Sequence, residues 1–132
     1  MSMEFSFKSK KNTEMIDITS EVQSRVSGTG VKEGLVVVYV PHTTAAVTIN
    51  EGADPSVRAD IVETFNEIVP WDKVYGHAEG NSPAHIKASL VGASETLILE
   101  GGRLLLGQWQ HIFFCEFDGP RERHVRIKVV SG

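Results

Sequence analysis

Arg123-His124-Val125-Arg126-Ile127-Lys128-Val129-Val130 places apolar side chains at Val125, Ile127 and Val129 and charged or polar ones between them. Successive side chains of a strand point to opposite faces, so this spacing predicts a strand with one face packed and one face wet. Strands of a wound parallel sheet are covered on both sides and read as unbroken apolar runs, whereas clean alternation belongs to antiparallel sheet. The preceding sequence agrees. Residues 95–100, a Gly101-Gly102 turn, residues 103–106 and residues 109–117 all carry strand signals, and Asp118-Gly119-Pro120 turns tightly into the alternating run.

Moving toward the N-terminus, Ser82-Pro83-Ala84-His85 predicts a helix start, with a capping residue followed by proline at the first helical position. His85 is then the third helical residue, Ile86, Leu90 and Val91 form an apolar face, and Gly92 ends the helix. Asp54-Pro55-Ser56-Val57 has the same grammar, and Val57, Ile61, Phe65 and Ile68 repeat at helical spacing as far as Pro70. Leu35-Val36-Val37-Val38-Tyr39-Val40 reads as a central strand covered on both faces, with residues 46–50 as its neighbour. A short helix is expected from about Ser20, with Val22 and Val26 on one face and Gly28 as its stop. Glu4-Phe5-Ser6-Phe7-Lys8 and Met15-Ile16-Asp17-Ile18 are strands. The fold class is α+β: a β-rich antiparallel sandwich with two or three short helices, in one domain over residues 1–132.

Composition narrows the function. A length of 132 residues suffices for a core that needs neither disulfide nor structural metal. The formal net charge of −4 gives no broad basic field, so nucleic acid is not an expected partner. No apolar run approaches the roughly 20 residues of a membrane span and no leader pattern opens the chain, so a cytoplasmic protein without a membrane partner is expected. The single Cys115 lies inside an apolar strand, with no cationic or helix-end setting to activate it, and reads as a packed thiol.

Three histidines carry the functional signal. His42 follows the 35–40 strand in Pro41-His42-Thr43-Thr44, while His77 and His85 bracket a loop that feeds the second helix. Imidazole is both the proton-transfer group suited to neutral pH and the commonest metal ligand. If the three rings meet, they form an open His-rich site able to hold a divalent metal with a water, zinc bonds being about 2.0–2.1 Å. The rival reading is a metal-free anion site of His42, His85, Arg121 and the backbone donors at residues 81–84. A third possibility is that the rings are unrelated surface groups. Asp54 explains itself as a cap, whereas Glu51 is not required by that logic. His111 and His124 are assigned to strand packing or solvent. Gln110, Glu116 and Asp118 share one strand face, expected to be solvated or to line a site or subunit contact.

The runs His42-Thr43-Thr44-Ala45, Asn50-Glu51, Asp54-Pro55, Val57-Arg58, Asp60, His77, Pro83-Ala84-His85-Ile86-Lys87, Gly107, Trp109-Gln110, Glu116 and Asp118-Gly119-Pro120-Arg121 occur in order along most of the chain. In these the sequence resembles the YjbQ-type family, small proteins labelled secondary thiamine-phosphate synthases. It departs at Gln108 and His111, where threonine and glycine are expected. The resemblance implies a β-sandwich, a homotrimer, and a transferase activity that joins hydroxymethylpyrimidine diphosphate to thiazole phosphate. Within it His42, His77 and His85 form the catalytic or metal centre, with zinc or magnesium as the possible cofactor. Glu51 is the orienting carboxylate, and Thr43, Thr44, Asn81 and Arg121 contact a phosphorylated small molecule. The alternative class is a non-enzymatic oligomer that binds or senses a small ligand.

Overall fold

The structure, a computed structural model, describes residues 2–132. In chain order the elements are β1 (Met3–Lys8), β2 (Glu14–Asp17), α1 (Thr19–Ser27), β3 (Gly34–Tyr39), β4 (Ala45–Glu51), α2 (Pro55–Ile68), α3 (Ser82–Val91), β5 (Ser94–Glu100), β6 (Arg103–Leu104), β7 (Gln110–Glu116) and β8 (Glu122–Ser131). The strands form two sheets, sheet A in the order β1-β8-β3-β5-β6 and sheet B in the order β2-β7-β4. Every pairing is antiparallel. The fold is the expected sheet-rich α+β sandwich with three helices. Among the described residues no helix is long and apolar enough to cross a membrane.

Alternation places the core. Val125 and Ile127 of β8 and Val36 and Val38 of β3 turn inward to meet Val47, Ile112 and Phe114 of sheet B. The other face of sheet B packs a second cluster, in which Met15, Ala46, Phe113, Cys115 and Phe117 meet Ile61 and Phe65 of α2 and Ala84 and Ala88 of α3. Sheet B is therefore the middle layer and sheet A an outer one.

Two strand expectations need correction. β3 is central, between β8 and β5, but only one of its faces is covered, since Leu35 and Tyr39 remain 46% and 45% exposed. The β-branched run was compatible with burial on either side, and no helix crosses this face. β4 lies in the other sheet and pairs with β7 rather than β3. Periodicity tells which residues share a face, not which strand lies alongside.

The helix grammar holds at α2, where the Asp54 side chain accepts the Ser56 N–H at 2.9 Å and Pro55 opens the helix. At α3 the cap is Asn81 rather than Ser82, which makes His85 the fourth helical residue. Lys87 of α3 is fully buried, its Nζ donating to Asn66 Oδ1 of α2 and lying 5.8 Å from the Trp71 ring centre. Burial pushes its ammonium below the ordinary lysine pKa.

Candidate functional site

Four connections gather at one end of the sandwich: β1 to β2, β3 to β4, α3 to β5, and β7 to β8. Backbone hydrogen bonds tie them together, from Ser9 N–H to Arg121 O at 2.9 Å, Val40 N–H to Ala93 O at 2.8 Å and Phe117 N–H to Thr44 O at 3.2 Å. Gly119 fits only because it lacks a side chain, a Cβ there falling 2.4 Å from Lys11 O and 2.6 Å from Ser9 Oγ.

A buried ion pair locks this corner. Arg123 and Glu116 are 2% and 0% exposed. Arg123 grips both carboxylate oxygens, Nε donating to Oε1 at 2.8 Å and Nη2 to Oε2. Nη2 also donates to Thr44 Oγ1 at 2.9 Å and Thr44 O at 3.2 Å. Ser9 Oγ donates to Glu116 Oε1 at 2.6 Å and Asp118 N–H to Oε2 at 3.0 Å, so the carboxylate is saturated with donors. Desolvation pushes Glu116 upward, but the hydrogen bonds from Arg123, Ser9 and Asp118 outweigh it and hold the carboxyl below its ordinary pKa. The expectation of a solvated or site-lining Glu116 is thereby corrected: a cation from the other sheet neutralises it in the interior. Thr44, expected to contact substrate, is itself buried and committed to Arg123.

His42 sits two residues before Thr44. Its Nε2 accepts the His124 backbone N–H at 2.9 Å, and its ring stacks on that of His124 with centroids 5.7 Å apart and planes 20° apart. Desolvation, then the nearby charges of Arg123 and His124, lower its pKa and favour the neutral ring. A neutral imidazole has one lone-pair nitrogen, which here is Nε2, so Nδ1 carries the hydrogen and is a donor. His124 was assigned to packing or solvent, and it proves to be the partner that sets this tautomer. Its position on the polar face of the alternating β8 was the only signal in the sequence.

Across a cleft of about 550 Å³ from His42 stands His85, with Thr43 and Ser89 also lining the space. His85 borders a second cleft of about 330 Å³ shared with His77, Tyr75 and Ser82, and the His77 and His85 rings meet edge to face at 5.4 Å. The expected imidazoles therefore lie along one edge in the order His42, His85, His77, extended by His124.

The remaining candidates fall elsewhere or are already engaged. Asn81 and Arg121 do converge, but on Asp118: Asn81 Nδ2 and Arg121 Nη2 donate to its Oδ2 at 2.9 and 3.1 Å, and Arg121 Nε donates to its backbone oxygen at 2.8 Å. The protein's own carboxylate takes the place expected for a ligand anion. Glu51 closes the turn before α2, accepting the N–H groups of Ala53 and Asp54. It ends β4 while His42 precedes that strand's start, a separation of about 20 Å at about 3.3 Å per residue. His111, also assigned to packing or solvent, places Nδ1 2.6 Å from Asp17 Oδ2. Cys115 is buried as expected, its thiol pushed up to about 12 by desolvation.

A metal centre of His42, His77 and His85 does not fit the donors of one chain. The His42 lone pair is taken by His124 N–H, and among the described residues no three His, Cys, Asp or Glu side chains converge for an ion. The arrangement suits recognition of an anion by hydrogen-bond donors.

An antiparallel two-sheet sandwich with a histidine-lined corner defines the structural class. The chain belongs to the family described as UPF0047 protein YjbQ-like, which matches residues 3–132. It is 50% identical over 131 residues to the UPF0047 protein MJ1081 of Methanocaldococcus jannaschii, covering 99% of this chain and 95% of that protein. It is 52% identical over 125 residues to the UPF0047 protein YugU of Bacillus subtilis, covering 94% and 95%. Among solved structures, an uncharacterized conserved YjbQ/UPF0047 family protein of Clostridium acetobutylicum superposes with a TM-score of 0.95 at 50% identity, covering 97% of this chain and 99% of that one. A YbjQ-like protein of unknown function from Sulfolobus solfataricus gives a TM-score of 0.95 at 30% identity, covering 100% and 97%. These names correct the activity implied by the resemblance. Relatives this similar are described by family alone, and none is described as a thiamine-phosphate synthase.

Proposed function

We propose that the protein binds a small phosphorylated molecule in the cleft between the β3–β4 crossing and α3. The observation that carries this reading is the fixed state of His42: with Nε2 occupied by His124 N–H, the ring offers Nδ1–H as a donor without first taking up a proton. Thr43 and His85 line the same space, which has the volume of a small ligand rather than a polymer. Donor-rich pockets of this kind suit phosphate oxygens, and a hydrogen bond to a charged group contributes about 1.5–3 kcal/mol.

The same reading includes assembly. Leu35, Ile98 and Val130 lie side by side across β5, β3 and β8, 46%, 52% and 47% exposed, forming an apolar patch on the outward face of sheet A. Contiguous exposed apolar surface marks an interaction site, and further copies of this chain, as in the expected homotrimer, would cover it.

Titration with inorganic phosphate and with glycerol phosphate, followed by imidazole ¹⁵N shifts, tests the site. Saturable shifts at His42 and His85 are expected, with affinity falling about tenfold or more in His42→Ala. Unmoved His42 and His85 signals, or equal affinity in the variant, would overturn the proposal.

A further inference from the structure

Helix α2 points Val57, Ile61 and Phe65 toward sheet B, yet none of its 14 residues is fully buried. Although Ile61 and Phe65 touch sheet B, an open groove of about 490 Å³ runs between α2 and α3 over the outer face of the sheet, with Met15 and Cys115 at its base and Leu90 and Val91 of α3 as its far wall.

The polar groups are placed as tellingly as the groove. Asp60 and Thr64 share the groove-facing stripe of α2 with Val57, Ile61 and Phe65, at spacings where a helix packed on a sheet carries apolar residues. Opposite them, Thr48 and Asn50 lie on the outer face of β4. Among the described residues Asp60 is in none of the ion pairs. Asn50 spends only its Oδ1, on the Glu51 N–H, which leaves Nδ2 free. Two pairs of polar side chains thus rim an otherwise apolar groove, and one is an exposed carboxylate with no ion-pair partner among the described residues.

We infer that this groove is a second small-molecule site, distinct from the histidine cleft, for a compact ligand with an apolar ring-sized body and a protonated amine directed to Asp60. The volume is within the range of ligand pockets, about 300–1,000 Å³. The apolar walls of Ile61, Phe65 and Leu90 take the body, and the Asp60 carboxylate with the Thr64 hydroxyl accepts the ammonium protons.

The test titrates the full chain with 2-phenylethylamine, 2-phenylethanol and 3-phenylpropanoate, followed by backbone amide NMR. The amine is expected to shift Thr48 and Thr64 saturably and to bind about tenfold tighter than the alcohol, an advantage that Asp60→Asn removes. Asp60 is exposed, so this variant leaves the core untouched. Thr48→Leu, which narrows the groove opposite Thr64 and removes a hydroxyl from its wall, is expected to weaken binding of the amine. Amine binding no tighter than the alcohol, an advantage that survives Asp60→Asn, or shifts confined to His42 and His85 would each overturn the inference.

Discussion

Arg123→Met removes the cation from the sandwich corner while keeping most of the side-chain volume. It deletes the bonds from Nε and Nη2 to Glu116 and those from Nη2 to Thr44, and it leaves Glu116 fully buried without its cation. Breaking a buried pair from one side destabilises a protein by about 3–5 kcal/mol, mostly through the uncompensated charge that remains. Against a total stability of about 5–15 kcal/mol this is a large fraction, equivalent to roughly 10–20 °C in melting temperature for a domain of this size. Urea unfolding followed by far-ultraviolet circular dichroism is the suitable assay, because Trp71 and Trp109 are 37% and 56% exposed and report poorly on the core. Adding Glu116→Leu removes the stranded charge and should restore most of the loss. Recovery stays incomplete by about 1–3 kcal/mol, since Asp118 N–H then lacks its acceptor and Ser9 Oγ is left with only the Arg121 backbone oxygen, at 3.1 Å. A single variant that loses less than about 1 kcal/mol, or a double variant no more stable than the single, would refute the assignment of Arg123 as the clamp of this corner.

Acid sensitivity follows from groups whose folded pKa is depressed. Their stabilisation is present above the unfolded pKa and is lost as pH falls through the folded one. His42 contributes below its ordinary 6.5, Glu116 below 4.5 and Asp17 below 3.8, whereas Glu95, raised by desolvation, opposes them. The urea midpoint should therefore hold just above pH 6.5, below the alkaline range where Lys87 and Cys115 titrate, decline gently below 6.5 and drop steeply below 4.5, and a midpoint that rises between pH 6.5 and 5 would contradict this. Gly52→Ala places a Cβ 2.1 Å from the His111 ring, which must swing away from Asp17 at a cost of about 1–3 kcal/mol. In a His111→Ala background the same change should cost much less, and equal cost in both would show that the clash is not the cause. Leu35→Lys should reduce the sedimentation mass to that of one 14.5 kDa chain, and a wild type that already sediments at that mass would remove assembly from the proposal.

Local grammar was legible wherever one residue's chemistry decides one geometry. The alternation of β8 sorted its inward and outward residues correctly, and Asp54-Pro55 opened α2 as expected. What escaped was set by pairing across sheets. The Arg123–Glu116 pair joins residues of different sheets, so neither strand's pattern reveals that each neutralises the other. β4 was given the wrong neighbour for the same reason. Lys87 is a lysine on an otherwise apolar helix face, and nothing local announces that an amide and an indole will receive it. His124 looked like one more wet residue of β8, because its role depends on a backbone N–H meeting a ring delivered by another connection.

The corner explains why the histidines gather there. Within a sandwich strand most side chains are either packed in a core or turned to solvent, and an imidazole there is held only where a side chain from another element reaches it, as Asp17 reaches His111. The crossings between sheets differ, because the backbone leaves one ladder before joining the next and its polar groups must find partners along the way. At residues 40–44 those partners come from both sides: Val40 N–H bonds Ala93 O, Thr44 is held by Arg123, and Phe117 N–H returns to Thr44 O. His42 lies between these anchors, so its ring is positioned by packed structure although it faces a cleft. His85 inherits comparable rigidity from α3, whose Ala84 is packed against sheet B. His77 has no such frame: it is exposed on the connection between α2 and α3, with its ring leaning on His85. Position along the histidine edge therefore grades from framed to exposed, and the two rings on which the proposed phosphate site rests, His42 and His85, are the two that packed structure holds.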